Sequence, residues 1–393
     1  MDIHDIKIET EKIFDEIVSH RRHFHQYPEL SGEEFATSDY IRDYLKEIGI
    51  ETLGIAGTGR IGMIGDGEHC IALRADMDAL PLDEETGLEY SSKKHGSMHA
   101  CGHDMHMAML LGAARILKKN EKELRGCIKL LFQPSEEKLP GGAAKMIEQG
   151  ALEDPIPFAI FGQHVEPSMP AGKIAITEGP IFASSDEIYI ELIGKGSHAG
   201  QPHLGNDPLI VASQLALHFN NLLNKHKNPL HPALLAITSI QGGSAPNIYP
   251  DRVRMMGTLR TYDDHIRFGI HEKIKKDIGL ICSLYGVEPR INITAGYPPL
   301  INHDSTSEFV RETAVKLFGE SDVLNMEPKM WAEDFAYFAR QAPSAFWMVG
   351  ARPSDESHVA SLHNPRFAPD EEAMKYGTVM LAATAFEFLS EKI

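Results

Sequence analysis

The segment His99-Ala100-Cys101-Gly102-His103-Asp104-Met105-His106 gathers three histidines, a cysteine and an aspartate at the head of an apolar run. That run (Met105, Ala108, Met109, Leu110, Ala113, Ile116, Leu117) has helical spacing. Gly102 and Asp104 suit a tight turn feeding a helix N-terminus, with Asp104 as its cap. Cys101 and His103, two positions apart on such a turn, can aim a thiolate and an imidazole at one point. Both are good ligands for a borderline metal such as zinc. The same residues also read as a buried cysteine beside surface histidines, so the rest of the chain has to supply further ligands.

Other polar groups sit where buried strands should end: Asp76 and Asp78, Glu136 and Glu137, and His164. His363 follows the last strand after a loop. In an open α/β sheet, ligands gather outside the carboxyl ends of strands. Each residue has a plainer reading: a hydrogen-bonded structural histidine, a solvated glutamate turn, a turn-capping aspartate. Their common placement is what favours a site. The glutamate pair can divide two tasks, one carboxylate coordinating a metal and the other serving as general base. With Glu137 as the coordinating member, Cys101, His103, Glu137, His164 and His363 make five ligands. That is more than one tetrahedral ion takes and natural for two ions sharing a bridge. Such ions lower the pKa of bound water from about 16 toward 7 and polarise a carbonyl.

The elements that must position these groups can be read from the hydrophobic pattern. Residues 7–20 and 34–48 read as amphipathic helices joined by a turn-rich Arg21–Leu30 connection. Strands are expected over 60–64, 70–75, 127–132, 158–161 and 172–177, and helices from His103 to about Lys119 and over 141–149. The pattern changes near Ser184. A strand (187–193), a long helix (207–226), two strands (234–240, 252–261), a second helix (266–285) and a strand (290–294) form an α+β unit. It should carry a four-stranded antiparallel sheet with both helices on one face. The chain then returns with helices over 305–318 and 333–341, a strand over 345–349 and a final helix over 371–389. The expectation is an α/β fold. Its catalytic domain, 1–183 and 297–393, has a largely parallel sheet flanked by helices, and 184–296 is an inserted lid or dimerisation domain.

Composition limits the functions available. Fifty-six acidic against 38 basic residues give a formal charge of −18, which argues against nucleic acid as partner because phosphate binding needs a basic face. Four scattered cysteines do not make a disulfide framework. No apolar run approaches membrane-spanning length, and Met1–Asp5 has neither basic flank nor signal-like core, so a cytoplasmic, non-membrane protein is expected.

Nine segments, in order along nearly the whole chain, carry a family resemblance. They are His25-Gln26-Tyr27-Pro28-Glu29-Leu30; Leu73-Arg74-Ala75-Asp76-Met77-Asp78-Ala79-Leu80-Pro81; Met98 to Asp104; Phe132-Gln133-Pro134-Ser135-Glu136-Glu137; Gly196-Ser197-His198-Ala199; Asn247-Ile248-Tyr249-Pro250-Asp251; Gly257-Thr258-Leu259-Arg260; Ala332-Glu333-Asp334-Phe335; and Leu362 to Phe367. With them the chain resembles the metal-dependent aminoacylase/carboxypeptidase family. The match is to the amidohydrolase branch, which holds hippurate hydrolases, N-acyl-amino-acid amidohydrolases and hydrolases of indole-3-acetyl-amino-acid conjugates.

The resemblance implies hydrolysis of N-acyl-amino acids to a carboxylic acid and a free amino acid; the nearest alternative is a dipeptidase or carboxypeptidase using the same centre. It makes Cys101, His103, Glu137, His164 and His363 the ligands of two divalent ions, with Cys101 as bridge. Zinc is favoured, and manganese, cobalt or nickel also suit such donors. Glu136 becomes the general base and Asp78 the group that orients the site. His198 steadies the oxyanion, in relatives across a dimer, and Asn247 and Arg260 hold the substrate carboxylate. A homodimer through the inserted domain is implied. The chain departs from the branch at Lys138-Leu139-Pro140, at Glu166 and at Trp331. These positions bear on the acyl-group preference rather than on the ligand set.

Overall fold

The computed structural model describes residues 2–226, 228, 230–353 and 360–391. Its contacts define two units. The first is Met1–Gly179 with Ile301–Glu327 and Asp334–Ile393; the second is Pro180–Leu300 with Pro328–Glu333.

The first unit is built on strands β1 (Thr52–Ile55), β2 (Gly59–Gly65), β3 (Cys70–Asp76), β4 (Cys127–Gln133), β5 (Ala159–Pro170) and β6 (Ile174–Ala175). Every residue of β3 and β4 is buried, as expected of interior strands covered on both faces. The sheet runs β1-β2-β4-β3-β5, then Ser344–Arg352, β6 and Val323–Leu324. Its centre is parallel, because β3 pairs in parallel with β4 and β5, and β5 with Ser344–Arg352. The β1–β2 hairpin adds antiparallel strands at one edge.

The first five helices of this unit are α1 (Ile3–Lys12), α2 (Phe14–Gln26), α3 (Phe35–Glu47), α4 (His103–Lys119) and α5 (Gly142–Glu148). α4 is buried on nearly all sides, packed between α2, the last helix (Ala373–Glu391) and the sheet. Its Met, Leu, Ile and Ala side chains therefore join one core with Ile71, Leu73, Phe161 and Trp347.

Several boundaries differ from the sequence expectation. The Arg21–Leu30 connection is helical as far as Gln26. α2 buries Ile17, His20, Arg21, Phe24 and His25, a helical stripe whose polar members are paired inside the protein. β5 runs on through His164 to Pro170, so that histidine lies within a strand and not after one. The helix expected over 333–341 is confined to Phe335–Ala339, and the strand over 172–177 to Ile174–Ala175.

The second unit has a four-stranded antiparallel sheet in the order Ala233–Gly242, Arg252–Thr261, Asp186–Ile193, Glu288–Ala295. Alternate residues of the central strands (Ile188, Ile190, Leu192; Val253, Met255, Leu259) pack against helices Pro208–His226 and Asp264–Tyr285 through Leu215, Phe219, Ile270 and Ile274. The alternation in Asp186–Ile193 is that of a sheet with one covered face. Among the described residues no helix is long and apolar enough to cross a membrane.

Candidate metal centre

The Cys101–His103 turn depends on one glycine. Gly102 is the N-cap of α4 and has φ 90°, in the left-handed region. A Cβ there would lie 2.4 Å from Val165 Cγ2, beside the strand that carries His164. Only glycine combines that backbone with that approach. Gly102→Ala is expected to cost about 1–3 kcal/mol through overpacking and to weaken metal retention by parting Cys101 from His164. Thermal melts and metal content of the purified variant check this. Asp104, expected to cap the helix, does not do so. Its Oδ2 accepts from Arg21 Nε at 2.9 Å and from His25 Nδ1 at 2.8 Å, which ties α2 to the first turn of α4.

Five residues of the first unit converge. Cys101 Sγ lies 3.4 Å from His164 Nε2 and 3.3 Å from His363 Nε2. Glu137 Oε1 is 3.2 Å from His363 Nε2 and 3.9 Å from His103 Nε2. Two donor trios result, Cys101–His103–His164 and Cys101–Glu137–His363, each with its ligand atoms within 4.8 Å of one another. Cys101 belongs to both. Glu136 joins a third grouping with His103 and Glu137.

Hydrogen bonds behind these donors fix which atoms face inward. His103 Nδ1 donates to the Asp78 carbonyl at 2.8 Å, and His164 Nδ1 to the Val165 carbonyl at 2.7 Å. In both rings Nδ1 is committed to a carbonyl, so Nε2 is the atom turned toward a cation, the usual arrangement of metal-binding histidines. His103 Nε2 and Glu137 Oε1 are buried without a hydrogen-bond partner. Buried polar atoms are seldom left so, and a cation would satisfy both. His363 is held in the left-handed region, φ 61°, with its N–H on the Ala100 carbonyl at 2.8 Å. Non-glycine residues adopt that conformation rarely, and such strain concentrates at functional sites.

The electrostatics point the same way. Burial depresses His103, but Asp76, Asp78 and Glu137 more than compensate, and its pKa stands at about 10. The carboxylates thus favour positive charge beside that ring: without a cation they hold a proton on it, and a divalent ion would take that proton's place. Burial, then Glu137, Glu136 and Asp76, push the Cys101 thiol well above its ordinary value. A thiolate at this position needs a cation beside it. Burial, followed by His106, holds His164 well below the usual histidine value, so it stays neutral with its lone pair available. The donor set fits divalent ions.

Asp78 holds the glutamate turn by its backbone. Its Oδ1 accepts the Glu136 N–H and its Oδ2 the Glu137 N–H, both at 2.9 Å, while Ser31 Oγ donates to Oδ2 at 2.6 Å. The turn closes on Gly142, whose N–H meets the Ser135 carbonyl at 3.0 Å and where a Cβ would fall 1.8 Å from Pro134 O.

Sequence reasoning assigned no role to several residues that support the centre. His106, the third histidine of the cluster, donates from Nδ1 to Asp76 Oδ1 at 2.6 Å and accepts the Val165 N–H on Nε2 at 3.0 Å. Both of its nitrogens are engaged, which sets it behind the donors. Arg74, buried in β3, meets Asp76 Oδ2 at 2.7 Å, Asp334 Oδ1 at 3.0 Å and Gln133 Oε1 at 2.8 Å. A charge inside an otherwise apolar stretch, Cys70 to Ala75, was the available signal, since such a charge requires a partner.

The remaining candidates belong to the second unit. His198 and Asn247 lie side by side where Ser197–His198 pairs with Ile248–Tyr249, and the Ala199 N–H reaches the Asn247 carbonyl at 2.9 Å. His198 Nδ1 accepts the Gly200 N–H at 3.0 Å, so the neutral ring carries its proton on Nε2. Arg260 sits on the strand Arg252–Thr261 of the four-stranded sheet.

A sheet with a parallel centre beside a buried cysteine–histidine–carboxylate cluster is the architecture of a metallohydrolase. Residues 72–387 match the model of peptidase family M20/M25/M40, and the chain belongs to that family. It is 41% identical to the N-acetyl-L-cysteine deacetylase of Bacillus subtilis (strain 168), over 95% of this chain and 88% of the relative. It is 36% identical to thermostable carboxypeptidase 1 of Saccharolobus solfataricus, over 98% of each chain. Among solved structures it resembles a dinuclear metal binding peptidase of the M20 family from Bacillus subtilis, with a TM-score of 0.83, 33% identity, and coverage of 97% of this chain and 99% of that one.

Proposed function

We propose that the chain is a metallo-amidohydrolase that cleaves N-acyl-amino acids to a carboxylic acid and a free amino acid. One observation carries the reading: Cys101 is shared by two donor trios, as a residue bridging two divalent ions would be. Cys101, His103, Glu137, His164 and His363 would hold the ions, with zinc favoured by the thiolate and imidazole donors. When bound, the ions supply Lewis acidity and an acidified water. The chain's own groups do the rest. Glu136 takes a proton from the water and returns it to the departing nitrogen. Asp78 keeps Glu136 aligned through the backbone. His198, with its proton on Nε2, stabilises the oxyanion. Asn247 and Arg260 hold the substrate carboxylate, Arg260 through its bidentate fork. The active form is a homodimer joined through the second unit.

A thiol-nucleophile hydrolase is disfavoured, because burial and neighbouring carboxylates keep the Cys101 thiol protonated without a cation. The amidase reading draws on the likeness to a deacetylase of an N-acetyl-amino acid. The likeness to a carboxypeptidase supports peptide cleavage by the same groups as the second reading. A panel of N-acetyl and N-benzoyl amino acids and dipeptides, assayed before and after chelation, separates them. We expect chelator-sensitive turnover that is fastest on N-acyl amino acids; faster dipeptide cleavage would select the peptidase, and ligand binding with no turnover would reject both.

A further inference from the structure

Three successive amides, those of Ser135, Glu136 and Glu137, each donate to an oxygen of a buried carboxylate. Asp78 takes the second and third, and Glu34 Oε1 takes the first at 2.8 Å. Glu34 is fully buried, and its other oxygen, Oε2, accepts the Thr58 hydroxyl at 2.6 Å. Ser135 has φ 52°, a left-handed conformation that a serine leaves readily unless it is held. It immediately precedes Glu136, so its backbone angles set where the Glu136 carboxylate points. We propose that Glu34 is a positioning residue for the catalytic glutamate: by gripping the Ser135 N–H it keeps the turn left-handed and aims Glu136. This rests on the reading of Glu136 as general base.

The position fits the task better than that of a generic core acid. Residues 29–34 wrap the strand end that carries Asp78, since the Ala79 N–H meets the Glu29 carbonyl at 2.8 Å and Ser31 bonds the Asp78 carboxylate. A buried carboxylate is costly unless every oxygen is used, and Glu34 uses one on the turn and the other on Thr58. What the turn needs from position 34 is an acceptor at a fixed reach, not a charge.

The experiment compares Glu34→Gln with Glu34→Asp, alone and in the Glu136→Gln background. Glutamine keeps an acceptor at the same reach, and kcat is expected within about threefold of the parent. Aspartate keeps the charge but withdraws the acceptor by one methylene; kcat should fall about tenfold to a hundredfold, the scale of a misplaced catalytic group, with KM and bound metal unchanged. In the Glu136→Gln background Glu34→Asp should cost less than twofold further, because there is no base left to aim. The proposal is overturned if Glu34→Asp keeps kcat within twofold, if both variants fall alike, if metal is lost in step with activity, or if the loss is equal in both backgrounds. Should Glu34→Asp fail to fold, Thr58→Val loosens Glu34 from its far side. A fall of at least threefold in kcat would then sustain the proposal, and an unchanged kcat would reject it. Full turnover in Glu136→Gln alone would instead remove the base assignment itself, a separate result.

Discussion

Glu136→Gln is expected to lower kcat by about 10²–10⁴-fold, the usual worth of a general acid–base group, with bound metal and KM close to the parent. The reason is geometric. Glu136 lies within 4.8 Å of ligand atoms of both His103 and Glu137, yet its neighbour Glu137 is the one that also meets Cys101 and His363. Glutamine preserves the shape and the backbone bond to Asp78 Oδ1, which uses the Glu136 N–H and not its side chain. What disappears is the capacity to take a proton from water and pass it to the leaving nitrogen. Steady-state kinetics with metal analysis on the same sample checks this. A loss of metal in proportion to activity would make Glu136 a ligand instead.

Arg74→Met is expected to destabilise the first unit by about 3–5 kcal/mol, the cost of stripping the partner from buried charges. Arg74, Asp76 and Asp334 are all essentially inaccessible. Arg74 meets both carboxylates, and Asp334 in turn receives Gln133 Nε2 at 2.7 Å and the Ala143 N–H at 3.0 Å at the start of α5. Removing the guanidinium leaves two buried carboxylates without the cation between them, Asp76 with His106 and Asp334 with Gln133 and the Ala143 N–H. Asp76 is held well below the usual carboxylate range by Arg74, His103 and His106 against the opposing effect of burial, and without Arg74 it becomes easier to protonate. Urea unfolding at neutral pH measures the change; a midpoint like the parent's would show that the network contributes little.

Much of the centre is legible in the sequence because its donors are chemically uncommon and fall in short clusters: Cys101 and His103 on one turn, Glu136 and Glu137 on another. The parallel core shows in the largely apolar runs of β3 and β4, interrupted by Arg74 and Lys129. The supporting network is much less legible. Arg21 finds Asp104 83 residues away, and Arg74 finds Asp334 260 residues away; pairs so distant leave no local pattern. For the same reason the stripe Arg21, Phe24, His25 reads as a polar connection, although its partners make it the buried face of a helix. The role of Glu34 is hidden likewise. A glutamate before a helix looks solvated until the Ser135 turn folds over it.

Paired divalent ions at Cys101 are what the proposed chemistry most requires. The direct test is elemental analysis of the purified chain and of Cys101→Ala, with turnover measured in each. We predict two divalent ions per chain in the parent, turnover abolished by chelation and restored by adding metal back, and loss of both ions in Cys101→Ala. A metal-free parent with full turnover, or a Cys101→Ala variant that keeps both ions, would contradict it.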